Sequence, residues 1–170
     1  LEVGNISRAF IEEKAQPEVD AYRFSKLYAF AQENGHAAEE AITPANVYPR
    51  LKEMLLPVRR FGPGNIIVYL SSHVMDCLER SEDFVRTIEN RTVGETCLES
   101  RVSTLDGVQL VEVWDEGRFY TEYDFSDGFV PTEDAKPLNI LVVAKPAVIC
   151  KAKFNSVYLF APGEHTQGNG

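Results

Sequence analysis

The chain has 170 residues, 44% hydrophobic and 25% charged, with a formal net charge of -9. That length supports one sizeable hydrophobic core, and the composition excludes wholesale disorder. Basic residues do not gather: the nearest approach to a patch is Arg59-Arg60, far short of the cations a tight DNA groove needs. A protein that encloses DNA without gripping it remains compatible with this balance.

In chain order, the first segment reads as helix. Asn5 suits an N-cap, and Ile6, Phe10, Ala21, Leu27, Tyr28 and Ala31 recur at three- and four-residue steps. Pro17 has no N–H for the ladder, so it either kinks this helix or opens a second one. Glu18 and Asp20 follow it, as anions do in a first turn, which favours two pieces, the second from about Pro17 to Asn34 with Gly35 as its stop. A further helix is expected with Thr43 as cap and Pro44 at its first position, carrying Val47, Leu51, Met54 and Leu55. Pro57 and Gly62-Pro63-Gly64 end it.

The period then changes. Ile66-Ile67-Val68-Tyr69-Leu70 is a short β-branched run, expected to be a buried strand. Ser71 or Ser72 caps a helix with Val74, Cys77 and Leu78, followed by Phe84, Val85 and Ile88. From Thr92 to Trp114 the pattern is a hairpin: Val102 and Leu105 lead into Asp106-Gly107, and Val108 to Val113 alternate beyond it. Residues Asp115 to Pro137 read as a long loop. Asn139 to Ala144 is another buried strand, Pro146 opens a short helix through Cys150, and Val157 to Phe160 is a last strand before Pro162.

No apolar run approaches the roughly 20 residues of a bilayer span. Cys77, Cys97 and Cys150 form no CxxC pair and lie at no metal-ligand spacing from a histidine, so three reduced thiols in a soluble cytoplasmic protein are expected. The chain opens on Leu1 without a signal-like stretch and closes on a polar, glycine-rich tail from Gly163 to Gly170. A piece of a longer protein is expected from these ends.

Motifs for chemistry are lacking. No phosphate-cradling glycine loop, nucleophile elbow or HExxH occurs. His36, His73 and His165 are scattered. His73 and Cys77 stand four residues apart on one helical face, a spacing compatible with base and nucleophile but without a third orienting group. Asp124 and Asp127 flank a turn, with too few oxygens for a calcium loop. No catalytic, cofactor-binding or metal-binding residue is therefore assigned. The aromatic loop from Phe119 to Phe129 stands apart: its rings either fold back as a local core or bury against another subunit.

Four stretches carry a resemblance. Pro17-Glu18-Val19-Asp20-Ala21-Tyr22-Arg23-Phe24-Ser25-Lys26-Leu27 resembles a stretch in the major capsid proteins of tailed bacteriophages, especially those of Gram-positive hosts. Ile67 to Val74 resembles that family's strand-to-helix step, and Val102 to Val113 its hairpin, with Ser103 and Asp106 departing from the pattern in the polar places. Asn139-Ile140-Leu141-Val142-Val143-Ala144-Lys145-Pro146-Ala147-Val148-Ile149 resembles its later strand. Each is weak alone; four in the right order, over most of the chain, are more specific.

The resemblance implies an α+β protein with the capsid fold shared by tailed phages, herpesviruses and encapsulin compartments. Residues 1–42 would hold the spine helix of a peripheral domain, 43–158 an axial domain of mixed sheet and helices, and 159–170 the start of the return. Sequence for the family's N-terminal arm, extended loop and C-terminal peripheral strand is not found, as expected of a truncated subunit. The implied function is a non-enzymatic structural subunit. Its partners would be copies of itself, as pentamers and hexamers of a phage or prophage head shell, and packaged DNA held loosely. It would need no cofactor, membrane or small-molecule substrate, and would reside in the virion and, during assembly, in the host cytoplasm. An encapsulin-type compartment shell is the rival of the same fold. A small α+β enzyme or ligand-binding domain, walled by the aromatic loop, is the rival of another class.

Overall fold

A computed structural model describes Asn5 and residues 8–83, 91–93, 96–98 and 103–148. Helical backbone at 8–10 runs into a π-helical turn, Ile11–Ala15, and then into α1, Gln16–Glu33. The expected second piece is thus present, but joined to the first. Pro17 sits in the first turn of α1, just after the π turn, where a proline is tolerated. At the other end Gly35 takes φ +72°, with its N–H donating to Gln32 O at 3.1 Å and the His36 N–H to Ala31 O at 2.8 Å. This is a Schellman stop, as Gly35 predicts.

The next helix, α2, spans Val47–Leu55 and starts later than the Thr43-Pro44 reading places it. The Asn46 side chain explains the shift: its Oδ1 accepts from the Thr43 N–H and its Nδ2 donates to Ala41 O, which holds 43–46 as a turn. Pro49 then falls in the first helical turn, where a missing N–H costs no ladder bond. A 3-10 segment, Leu56–Phe61, extends the element past Pro57 before Gly62 turns the chain.

Strand β1, Ile66–Ser71, leads directly into α3, Ser72–Glu79, and Ser71 caps that helix by accepting the Val74 N–H at 3.3 Å. Strands β2, Arg91–Val93, and β3, Thr96–Leu98, pair with each other. The expected hairpin follows as β4, Ser103–Leu105, and β5, Val108–Val113. Asp106 and Gly107 both have positive φ, 52° and 79°, the primed-turn geometry that an Asp-Gly pair favours. The long connection after β5 is more ordered than the sequence suggests. It contains a 3-10 turn, Glu116–Arg118, the two-residue strands β6, Tyr123–Asp124, and β7, Val130–Pro131, and a bridge between Tyr120 and Pro137. Strand β8, Ile140–Ala144, and a 3-10 turn, Lys145–Ala147, complete the described chain. Ile6, Phe84, Val85, Ile88, Val102, Cys150, the strand expected at 157–160 and the tail lie outside the described residues.

The main sheet runs β4-β5-β1-β8, with β5 parallel and β8 antiparallel to β1. The protein is therefore α+β with a mixed sheet, as the sequence indicates. Period-two alternation divides its apolar residues between two layers. Register aligns Val68 with Leu110 and Val142; this row, with Ile66, Leu70 and Val108, packs against Val47, Leu51 and Leu55 of α2 and Val74 and Leu78 of α3. The intervening residues Tyr69, Val113, Leu141 and Val143 face the other way, against Phe24 of α1, Phe119 and Leu138. Strand β8 is only partly the buried strand expected: Leu141 and Ala144 are buried, while Ile140, Val142 and Val143 are half-buried.

Candidate functional site

Helix α1 has two opposite apolar faces. At 3.6 residues per turn, Pro17, Ala21, Phe24 and Ser25 share one side, and all four are buried. The Phe24 ring meets those of Tyr69 and Phe119 edge-on, each at 5.0 Å between centroids, and Ser25 returns its hydroxyl proton to Tyr22 O at 3.0 Å. An ion pair between Asp20 and Arg118, 3.1 Å, ties the same side to the 3-10 turn after β5. The opposite side carries Val19, Tyr22, Lys26 and Phe30, which fall within roughly 80° of arc. Val19 is 40% exposed, Tyr22 51% and Phe30 67%. Sequence reading placed Ala21, Leu27 and Tyr28 toward the core, which the burial bears out, but missed Phe24 and this outer stripe. Phe10, expected in the same inward row, is exposed. The missed signal was the 19, 22, 26, 30 spacing, a second three-and-four-residue series interleaved with the first.

The aromatic loop resolves mainly as local core. Phe119 is 1% exposed. Tyr123 is buried beside it, with its hydroxyl donating to Gly117 O and accepting from the Tyr120 N–H, both at 2.9 Å. Burial pushes the Tyr123 phenol up to about 12, against the opposing effect of the Tyr120 N–H. Phe125 and Phe129 tile onto Tyr123, and Phe125 also meets Tyr22 edge-on at 5.6 Å. The loop therefore props the rim of the exposed stripe. Trp114, directly after β5, is 76% exposed, and sequence reading did not single it out.

His73 and Cys77 do come together on α3, at 3.8 Å. Both end on the backbone carbonyl of Ile42: His73 Nε2 at 3.1 Å and Cys77 Sγ at 3.8 Å. The thiol is buried, and the pair fastens the 36–46 connection onto α3. His73 also borders a cleft of about 210 Å³ at the carboxyl ends of β1 and β5, with Ser71, Glu116, Phe119, Pro137, Leu138 and Asn139. That volume lies below the roughly 300 Å³ at which small-molecule pockets begin. The Ser71 hydroxyl is already engaged as the cap of α3.

Asp124 accepts the Ser126 N–H at 2.9 Å, and this bond, with a second to the Ser126 side chain, holds its exposed carboxyl below the usual range. Among the described residues no group of three or more His, Cys, Asp or Glu side chains is placed to hold a metal ion. Lys52 and Arg59 converge on Asp106 at the hairpin turn, and Arg60 lies over the Phe61 ring. No described helix is long and apolar enough to cross a membrane. No family model, curated protein or solved structure gives a significant match to this chain.

Proposed function

We propose that the protein is a subunit of a self-assembling shell, of the kind that forms the heads of tailed bacteriophages. The observation that carries this reading is the two-faced α1. One face is consumed by the chain's own sheet; the other leaves Val19, Tyr22 and Phe30 in solvent. Exposed apolar stripes of this sort mark interfaces. Shells draw stability from many modest contacts repeated by symmetry and need no reactive centre. The four ordered resemblances to tailed-phage major capsid proteins, one of them lying on α1 itself, give the reading its particular form. In that form α1 is the spine helix, the sheet with α2 and α3 belongs to the axial domain, and the partners are copies of the same chain. The acidic balance suits a shell that encloses DNA and releases it.

Electron microscopy and light scattering of the purified protein across a range of salt concentrations test this. Closed or sheet-like assemblies are expected, and Phe30→Asp is expected to suppress them while leaving the circular dichroism of the subunit unchanged. A wild-type chain that stays monomeric throughout, or one that grips DNA with high, steeply salt-dependent affinity, overturns the proposal.

A further inference from the structure

We infer that the outer face of α1 is occupied by the same face of a second copy, the two helices running antiparallel about a two-fold axis beside Tyr22. The inference rests on the shell reading for the nature of the partner and adds the geometry of the contact. Three observations on α1 select it.

The first is the shape of the stripe. Val19 and Tyr22 are exposed side by side next to the proposed axis, and Phe30 continues the stripe to about 12 Å from it, opposite position 14 of the other copy. The second is charge. Glu18 lies one turn before Tyr22 and Lys26 one turn after it, about 40° to either side of it around the helix. With the two-fold at Tyr22, an antiparallel copy sets each Glu18 at the height of the other copy's Lys26, about 6 Å from the axis on either side. Two reciprocal ion pairs then bracket the apolar centre, whereas a parallel, in-register pairing would place like charges opposite each other. A two-fold contact is self-complementary by construction, and Glu18 and Lys26 placed about Tyr22 meet that requirement.

The third is the setting of Tyr22. Its ring is braced edge-on by Phe125 at 5.6 Å, and Lys26 Nζ lies 5.5 Å from its centre. Half of the residue nevertheless remains exposed. A braced aromatic with one open face is the kind of side chain that anchors interfaces, because little rotamer freedom is lost when it is covered.

Cross-linking in the whole chain tests the geometry. Tyr22→Cys should form an intermolecular disulfide under mild oxidation at least tenfold faster than Phe30→Cys, whose symmetry mate lies about 24 Å away along the helix axis. Unsubstituted protein controls for the native thiols. Lys26→Glu should lower self-association at least tenfold, and adding Glu18→Lys should restore it, because the swap preserves both cross-pairs. Assembly without a preferential Tyr22→Cys link, or a charge swap that fails to rescue, overturns this pairing and leaves the shell reading standing. Failure of the unsubstituted protein to self-associate overturns both.

Discussion

Replacing Phe119 with alanine tests whether the aromatic loop is part of the fold beneath α1. Phe119 is 1% exposed and meets Phe24 edge-on at 5.0 Å, within a cluster completed by Val113, Leu138 and Leu141. Truncating a buried phenylalanine costs about 3–5 kcal/mol, through lost transfer energy and the cavity left behind. Phe119 also lines the cleft of about 210 Å³, so the new void opens toward water instead of staying sealed. That places the expected loss near the lower end, about 3 kcal/mol. Part of it belongs to the ring pair. A cycle of Phe119→Ala, Phe24→Ala and the double variant should return a coupling of about 0.5–1.5 kcal/mol. Urea denaturation followed by circular dichroism, at a concentration where the chain is unassembled, reads both quantities. Phe30→Ala is the control: its ring is 67% exposed, so stability should move by no more than about 0.5 kcal/mol. A Phe119→Ala loss below about 1 kcal/mol, or one no larger than that of Phe30→Ala, would refute the packing of this loop under α1.

Two further expectations concern single residues. The Tyr123 phenol has its ordinary value of about 10 in the unfolded chain and is pushed to about 12 in the folded one. Between those pH values the folded chain holds a proton that the unfolded chain has lost, so stability should be intact below about pH 10 and fall as pH rises toward 12. Urea midpoints measured over that window should fall less steeply for Tyr123→Phe, and equal slopes would count against the burial. Gly107 sits at φ +79° with the Pro63 ring 3.4 Å from where a Cβ would stand, so Gly107→Val should destabilise by at least about 1–2 kcal/mol in the same assay. Gly107→Asn, able to adopt that backbone more readily, should lose less.

Local chemistry made several elements legible without any tertiary information. Asp106-Gly107 specified its hairpin because two positive φ values in succession are cheap for few residue pairs. Gly35 stopped α1, and Ser71 capped α3, for equally short-range reasons. The β-branched run at 66–70 became the centre of the sheet. Where the reading erred, a side chain reached beyond its neighbours in sequence. Asn46 bonds back to Thr43 and Ala41 and delays α2, although Thr43-Pro44 has the local form of a helix start. The stretch after β5 looked like open loop because its rings have no periodicity. They acquire order only against Phe24 and Tyr22, roughly a hundred residues earlier in the chain.

The same division applies to the candidate surface. By itself the sequence determined that α1 is a helix and that its apolar residues outnumber what one face needs. It did not determine which face is the inner one. Periodicity assigns residues to sides of a helix, but only packing against the sheet chooses between two sides that are both apolar. Tertiary structure made that choice by seating Phe24 between Tyr69 and Phe119, which turned Val19, Tyr22 and Phe30 outward.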